Sequence, residues 1–146
     1  MAMTTSNLAA IALVSAYFAA HLATSLSCPL GWHAYNGTKC LKYVAVNVNH
    51  SEAVRMCGEY NATLASVHSR DEEDFLLGLG RQYYTLSGVH WAWLGAMRPS
   101  ADRQSPFTWP DGTEFDYSNW RPGCPDTRAG ENCVLMTVFR DRPSHW

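Results

Sequence analysis

Residues 1–27 contain no Lys, Arg, Asp or Glu. The longest apolar run there, Leu8–Ala20, has about 13 residues, short of the ~20 that a membrane-spanning helix needs. That length suits the apolar core of a secretory leader. Ala23-Thr24-Ser25 puts small residues at −3 and −1, so a signal peptide over 1–25 is expected, with cleavage after Ser25 and Ser27 as the alternative. The basic residue usual at a leader's start is missing, and the Met1 amine supplies the positive charge. A basic excess is missing from the whole chain: net charge is −2 and charged residues make up 16%, which excludes the electrostatic footprint of a nucleic-acid binder. G-x-S-x-G, H-E-x-x-H, a phosphate-binding loop and C-x-x-C are all absent, and the six histidines (21, 33, 50, 68, 90, 145) are scattered, so no enzyme is expected. No internal repeat, heptad or low-complexity segment divides the 146 residues, a length that suits one domain with one core.

What the chain does have is aromatic: six Trp and seven Tyr, most of which are expected in a sheet core. Trp32–Tyr35 and Lys39–Tyr43 flank Asn36-Gly37, a hairpin signal because both turn residues tolerate positive φ. Cys28 and Cys40 sit at the hairpin's two ends, placed for a disulfide that closes a short loop and contributes about 3 kcal/mol. Asn49-x-x-Glu52 reads as a helix cap, with Ala53, Met56, Cys57 and Tyr60 on one face and Asn61 as the left-handed stop. Thr63–Val67 alternates as a strand. Ser69-x-x-Glu72 opens a second helix with Phe75, Leu76, Leu79 and Tyr83 as its buried stripe. The acidic run Asp71–Asp74 is expected to serve the positive end of that helix's dipole. Trp91–Ala96 reads as a buried central strand and Arg98–Ser105 as a polar loop. The triplets at Asn36, Asn49 and Asn61 are glycosylation sequons, in keeping with a secreted, extracellular glycoprotein.

The stretch Trp109–Met136 organises the second half. A Pro110-Asp111-Gly112 turn leads into Phe115, Tyr117 and Trp120, then a Pro/Gly loop over Arg121–Asp126, then the strand Val134-Leu135-Met136. Oxygen-bearing side chains gather at Asp126, Thr127, Glu131 and Asn132, the donors a hard cation takes.

Trp93-Leu94-Gly95, Tyr117-Ser118-Asn119-Trp120, Pro125-Asp126 and Glu131-Asn132-Cys133, in that order, resemble the C-type lectin family from Cys28 to Trp146. The resemblance implies an α+β, C-type lectin-like fold: two helices, a mixed antiparallel sheet and a long loop region, stapled by disulfides. It implies a domain over 28–146 that lacks its final strand, because the chain stops at Trp146, where the family's late Trp-Asn-Asp motif begins. It also implies that Cys57 and Cys133 lack their family partners. Either the sequence is a fragment, the reading that an end inside a motif favours, or Cys57, Cys124 and Cys133 re-pair among themselves.

The family's sugar-binding members hold Ca2+ with a loop whose proline is cis, and two sugar hydroxyls complete the ion's shell. Carried over residue by residue, Pro125, Asp126, Glu131 and Asn132 form the carbohydrate and calcium site, with Asp126 and Glu131 as the metal ligands. Pro125-Asp126 matches the galactose form more than the mannose form. Cys124 stands where Glu or Gln belongs, and sulfur is a soft donor ill suited to calcium. Arg98 falls where an auxiliary-site carboxylate would be expected. Two functions follow as expectations: a secreted lectin that binds glycans or glycoproteins, with calcium as cofactor, or a calcium-independent module on the same scaffold that binds a protein or another surface. Neither involves nucleic acid or a membrane span in the mature chain.

Overall fold

A computed structural model describes residues 1–5, 27–87, 91–99, 104–125 and 131–146. Beyond Met1 the chain enters β1 (Ala2–Thr5), then β2 (His33–Tyr35), β3 (Lys39–Tyr43), α1 (His50–Glu59), β4 (Thr63–Leu64), α2 (Arg70–Ser87), β5 (Trp91–Met97) and β6 (Cys133–Thr137). Two antiparallel sheets form, a four-stranded one in the order β2-β3-β1-β4 and a two-stranded one of β5 and β6. With two helices and the Cys28–Cys40 disulfide, this is the α+β, C-type lectin-like architecture.

Local chemistry sets the element ends as expected. Asn36 and Gly37 turn the β2–β3 hairpin at φ 46° and 66°. Asn49 caps α1 by accepting from the Glu52 amide at 2.9 Å, and Asn61 ends that helix's turn at φ 50°. Ser69 accepts from the Glu72 amide at 3.2 Å. Ala53 and Cys57 face the core from α1, but Tyr60 is 46% exposed, lying edge-on to Trp32 and beneath the Lys42 ammonium. The expected strand over Thr63–Val67 shrinks to Thr63–Leu64. Beyond it, Ala65 turns its backbone to two partners: its amide donates to Ala2 and its carbonyl accepts from Gly95. Gly95 must be glycine, because a Cβ there would lie 2.7 Å from both the Leu64 oxygen and the Pro110 ring. Trp91–Met97 is not a central strand either: it pairs with β6 on one side and meets Thr108 by a single bridge.

The acidic run at the start of α2 departs furthest from expectation. Glu72 and Glu73 are buried, and a dipole interaction alone does not bring a carboxylate out of water. Glu72 receives the Lys39 ammonium at 2.7 Å and the His68 amide at 3.0 Å, which ties β3 to α2. Glu73 accepts from the Tyr117 hydroxyl at 2.6 Å and from Asn119 Nδ2 at 3.0 and 3.1 Å. The same Asn119 nitrogen donates to the Ser144 carbonyl at 2.8 Å. A carboxylate with several donors satisfies its lone pairs inside the protein.

Residues 1–5, assigned above to a leader, lie in the middle of the larger sheet. Met3 pairs with Lys42 of β3 on one side and Leu64 of β4 on the other. Met1 and Met3 pack with Ala53, Cys57 and Leu64, while Ala2 faces the opposite core. Among the described strands, β4 reaches the sheet through β1.

Two predictions follow from this packing. Chain processed after Ser25 should be less stable than chain that keeps residues 1–5, by about 3–6 kcal/mol for two buried Met side chains; urea unfolding of both forms measures the difference, and equal midpoints would refute the role given to β1. A pH effect should accompany it. Burial pushes the Met1 ammonium, which donates to the Val44 carbonyl at 3.0 Å, down from 8.0 to about 6. Between those values the unfolded chain binds more protons, so stability should rise as pH goes from 6 to 8, and N-terminal acetylation should remove that rise. For the α2 anchor, Glu73→Ala should lower stability by about 3 kcal/mol, since charged hydrogen bonds contribute about 1.5–3 kcal/mol each, and Tyr117→Phe should lower it by less. Denaturant midpoints of the two variants test this.

Candidate functional site

The segment after Gly112 forms no regular strand as far as Arg121, yet it is held at both ends of its aromatic cluster. Glu73 holds Tyr117 and Asn119 as described. The Trp146 amide donates to the Asn119 carbonyl at 2.9 Å, and the Arg121 amide donates to the Trp146 carbonyl at 3.1 Å. Trp146 is buried and meets Trp109, Phe115, Tyr117 and Trp120 edge-on, with ring centroids 5.6–6.1 Å apart. This geometry presents Trp120, Arg121 and the following turn at the mouth of a cleft.

The cleft has a volume of about 280 Å³ and brings together Pro125 and Glu131 with Cys124 and Cys133. Trp91, which is 50% exposed, Trp120 and Trp146 wall it. The Cys124–Pro125 peptide is cis, as the resemblance implies. Asn132 lines a neighbouring cavity with Arg98 instead. Asp126 and Thr127 lie outside the described residues. Trp146 Nε1 is buried without a hydrogen-bond partner among the described residues.

Among the described residues, the donors around Pro125 do not make a calcium site. Cys124 offers a sulfur, and that sulfur accepts from the Arg121 guanidinium at 3.3 Å, which places a cation where the resemblance calls for an oxygen ligand. Glu131 is the one described carboxylate of the expected set. Among the described residues no group of three or more His, Cys, Asp or Glu could hold a metal ion. Calcium takes six to eight oxygens, and the described residues do not fit it.

Arg98, expected in a polar loop, is buried. Its guanidinium donates to the Glu131 carbonyl at 2.9 Å, its amide donates to the Asn132 carbonyl at 3.0 Å, and it lies over the Phe107 ring. It therefore fixes the backbone where the loop re-enters β6. A lone Arg in a polar run carries no sequence signal for that role.

Three cysteines are free: Cys57, Cys124 and Cys133. Burial pushes the Cys57 thiol up to about 12 and raises that of Cys133, where the Glu131 charge adds to the effect. Such thiols stay protonated and are poor nucleophiles. A hydroxyl–imidazole–carboxylate array does occur, with His68 between Asp116 at 2.7 Å and Thr113 at 3.1 Å. The Thr113 hydroxyl gives its single proton to Asp111 at 2.6 Å, so His68 cannot remove it and the array lacks an activated nucleophile.

Known proteins share both the sequence pattern and the fold. Ladderlectin of Oncorhynchus mykiss is 34% identical over 114 residues, 78% of this chain and 57% of that protein; the chain thus spans just over half of that relative. A calcium-independent type II antifreeze protein superposes with a TM-score of 0.64 at 26% identity, covering 82% of this chain and 90% of its own. The carbohydrate-recognition domain of cow CD23, solved in the presence of an oligosaccharide, does so at 0.60 and 32% identity over 75% and 78%. Residues 46–146 match the Lectin C-type domain family, and by that match, the likeness to ladderlectin and the shared fold, this chain belongs to the C-type lectin family.

Proposed function

We propose that this chain is an extracellular binding module that takes a glycan or glycoprotein surface into the Trp91–Trp120–Trp146 cleft without using calcium. The observation that carries the reading is the Arg121 guanidinium on the Cys124 sulfur at 3.3 Å. A soft donor already engaged by a cation withdraws one ligand and adds a positive charge beside the cis proline. The cleft retains what direct recognition needs: aromatic faces, the Glu131 carboxylate and the Arg121 guanidinium. The relatives named above include a calcium-independent antifreeze protein and a domain solved with an oligosaccharide, so the scaffold is compatible with a site of either kind. The Cys28–Cys40 disulfide supports an oxidising, extracellular setting. Asn36, Asn49 and Asn61 are all exposed, as acceptors of N-linked glycans have to be.

The second reading is a calcium-dependent, galactose-type lectin, favoured by Pro125, Glu131 and, in sequence, Asp126. Calorimetry with calcium, then retention on galactose and mannose resins with and without chelator, separates the two. Calcium should bind more weakly than about 1 mM, the weak end for extracellular modules, and any retention should survive chelator. Chelator-reversible retention would overturn the calcium-independent reading. Cys124→Glu should then restore an oxygen ligand, tightening calcium by about tenfold or more, roughly 1.4 kcal/mol.

A further inference from the structure

β1 stands between β3 and β4 and runs antiparallel to both, and those two strands do not pair with each other. The expected cleavage after Ser25 would release β1 and leave a slot with backbone donors and acceptors open on two facing edges. Open strand edges are templates for another extended chain. The occupant seen in the slot shows what it takes. The Met1 and Ala2 carbonyls accept from the Val44 and Ala65 amides at 3.0 and 2.7 Å, and Met3 lies in register between Lys42 and Leu64. Met1 and Met3 are buried on one side with Ala53, Cys57 and Leu64, while Ala2, equally buried, joins the core on the other. No side chain of β1 carries a charge.

Such a strand is recognised through its backbone and the alternation of its side chains, both of which another polypeptide can supply. A charge at any of the first three positions would enter a core without a partner. A large side chain in place of Ala2 would have to fit where only a methyl group now packs. We propose that the slot between β3 and β4 is a binding site for an extended segment of another protein, which enters as a central strand and presents an uncharged sequence of large apolar, small, large apolar residues. Main-chain bonds on both edges supply affinity, and the alternate side chains supply selectivity. While β1 remains attached it competes as an intramolecular occupant at high effective concentration, so its release opens the site. The proposal is independent of the cleft and of calcium.

The test uses the full chain with a specific protease site introduced after Ser25, so that the folded chain can be nicked and β1 made replaceable. The probe is a peptide of residues 1–8, labelled at its C-terminus and followed by fluorescence anisotropy. It should bind the nicked chain saturably, and the uncut chain more weakly by about a hundredfold or more. An unrelated peptide, Leu-Ala-Leu-Thr-Val-Ser-Gly-Ser, should displace it with an affinity within about tenfold. Two variants of that peptide, one with its leucines adjacent and one with Asp for its alanine, should each compete about tenfold more weakly or worse. Adjacent leucines send one side chain to the wrong face, and the Asp buries a charge. Binding should also slow alkylation of Cys57, which packs with the residues of the slot. Should the nicked chain unfold, Met3→Asp disables β1 in the uncut chain. The leucine peptide should then raise that variant's urea midpoint, or restore its fold where it has none. Uptake of residues 1–8 without uptake of the leucine peptide would show a strand that serves this chain alone, and would overturn the proposal. Equal competition by the three foreign peptides, or no uptake in either form of the chain, would also overturn it.

Discussion

The Glu73 carboxylate is the constraint on which the irregular half of the molecule depends. A charge buried in the first turn of α2 has to be matched, and the matching groups come from 44 and 46 residues further along the chain, at Tyr117 and Asn119. Burial, then the Glu73 charge, push the Tyr117 hydroxyl up to about 12, so it stays a donor at physiological pH. Asn119 passes the order on, because its backbone carbonyl holds Trp146 and Trp146 holds Arg121. A segment with no strand pairing of its own is thus fixed to a helix by one anion. The cleft inherits its shape from that contact: Trp120 and Arg121 can face Glu131 only while residues 117–119 are pinned.

The same half of the molecule shows how one substitution changes the character of a site. Arg121 and Arg98 approach the cis-proline loop from two directions, one on the Cys124 sulfur and the other beneath the Glu131 and Asn132 backbone. The Cys124 sulfur and the Glu131 and Asn132 carbonyls each receive a donor from one of these residues, and a sulfur engaged by a guanidinium is poorly placed to ligate a hard cation. The position of Cys124 decides this, since an oxygen-bearing residue there would offer the donor type that a divalent cation takes.

The sequence was most legible where the governing contact is short. Asn36-Gly37, the Asn49 and Ser69 caps and the Asn61 stop all act within three or four residues, and each stands where its chemistry puts it. The stretch from Trp93 to Cys133 was legible at the level of family, and Pro125 and Glu131 do share a cleft. What escaped was set by distant partners. Nothing in Asp71–Asp74 shows that two of its members are buried, because their partners are Lys39, Tyr117 and Asn119. Arg98 reads as a solvated loop residue until the Glu131 carbonyl is placed beside it. Thr63–Val67 has the alternation of a strand, but regular pairing with β1 covers only Thr63 and Leu64 before Ala65 divides its backbone bonds between Ala2 and Gly95. Met1–Thr5 could not be read as a strand, since its short, uncharged sequence fits a leader equally well.

That N-terminal strand also shields the unpaired Cys57. Its thiol packs from α1 with Met1 and Met3, and burial there pushes its pKa up to about 12. Reactivity of a thiol requires the thiolate and access to it, and β1 denies both. The protection is only as strong as the pairing of a four-residue strand with its two neighbours. If β1 leaves the slot, β4 loses its neighbour in the sheet and the cover that Met1 and Met3 give Cys57 goes in the same event. Strand pairing, core packing and thiol chemistry are therefore one cooperative unit in this part of the fold, separate from the Glu73 contact that governs the cleft.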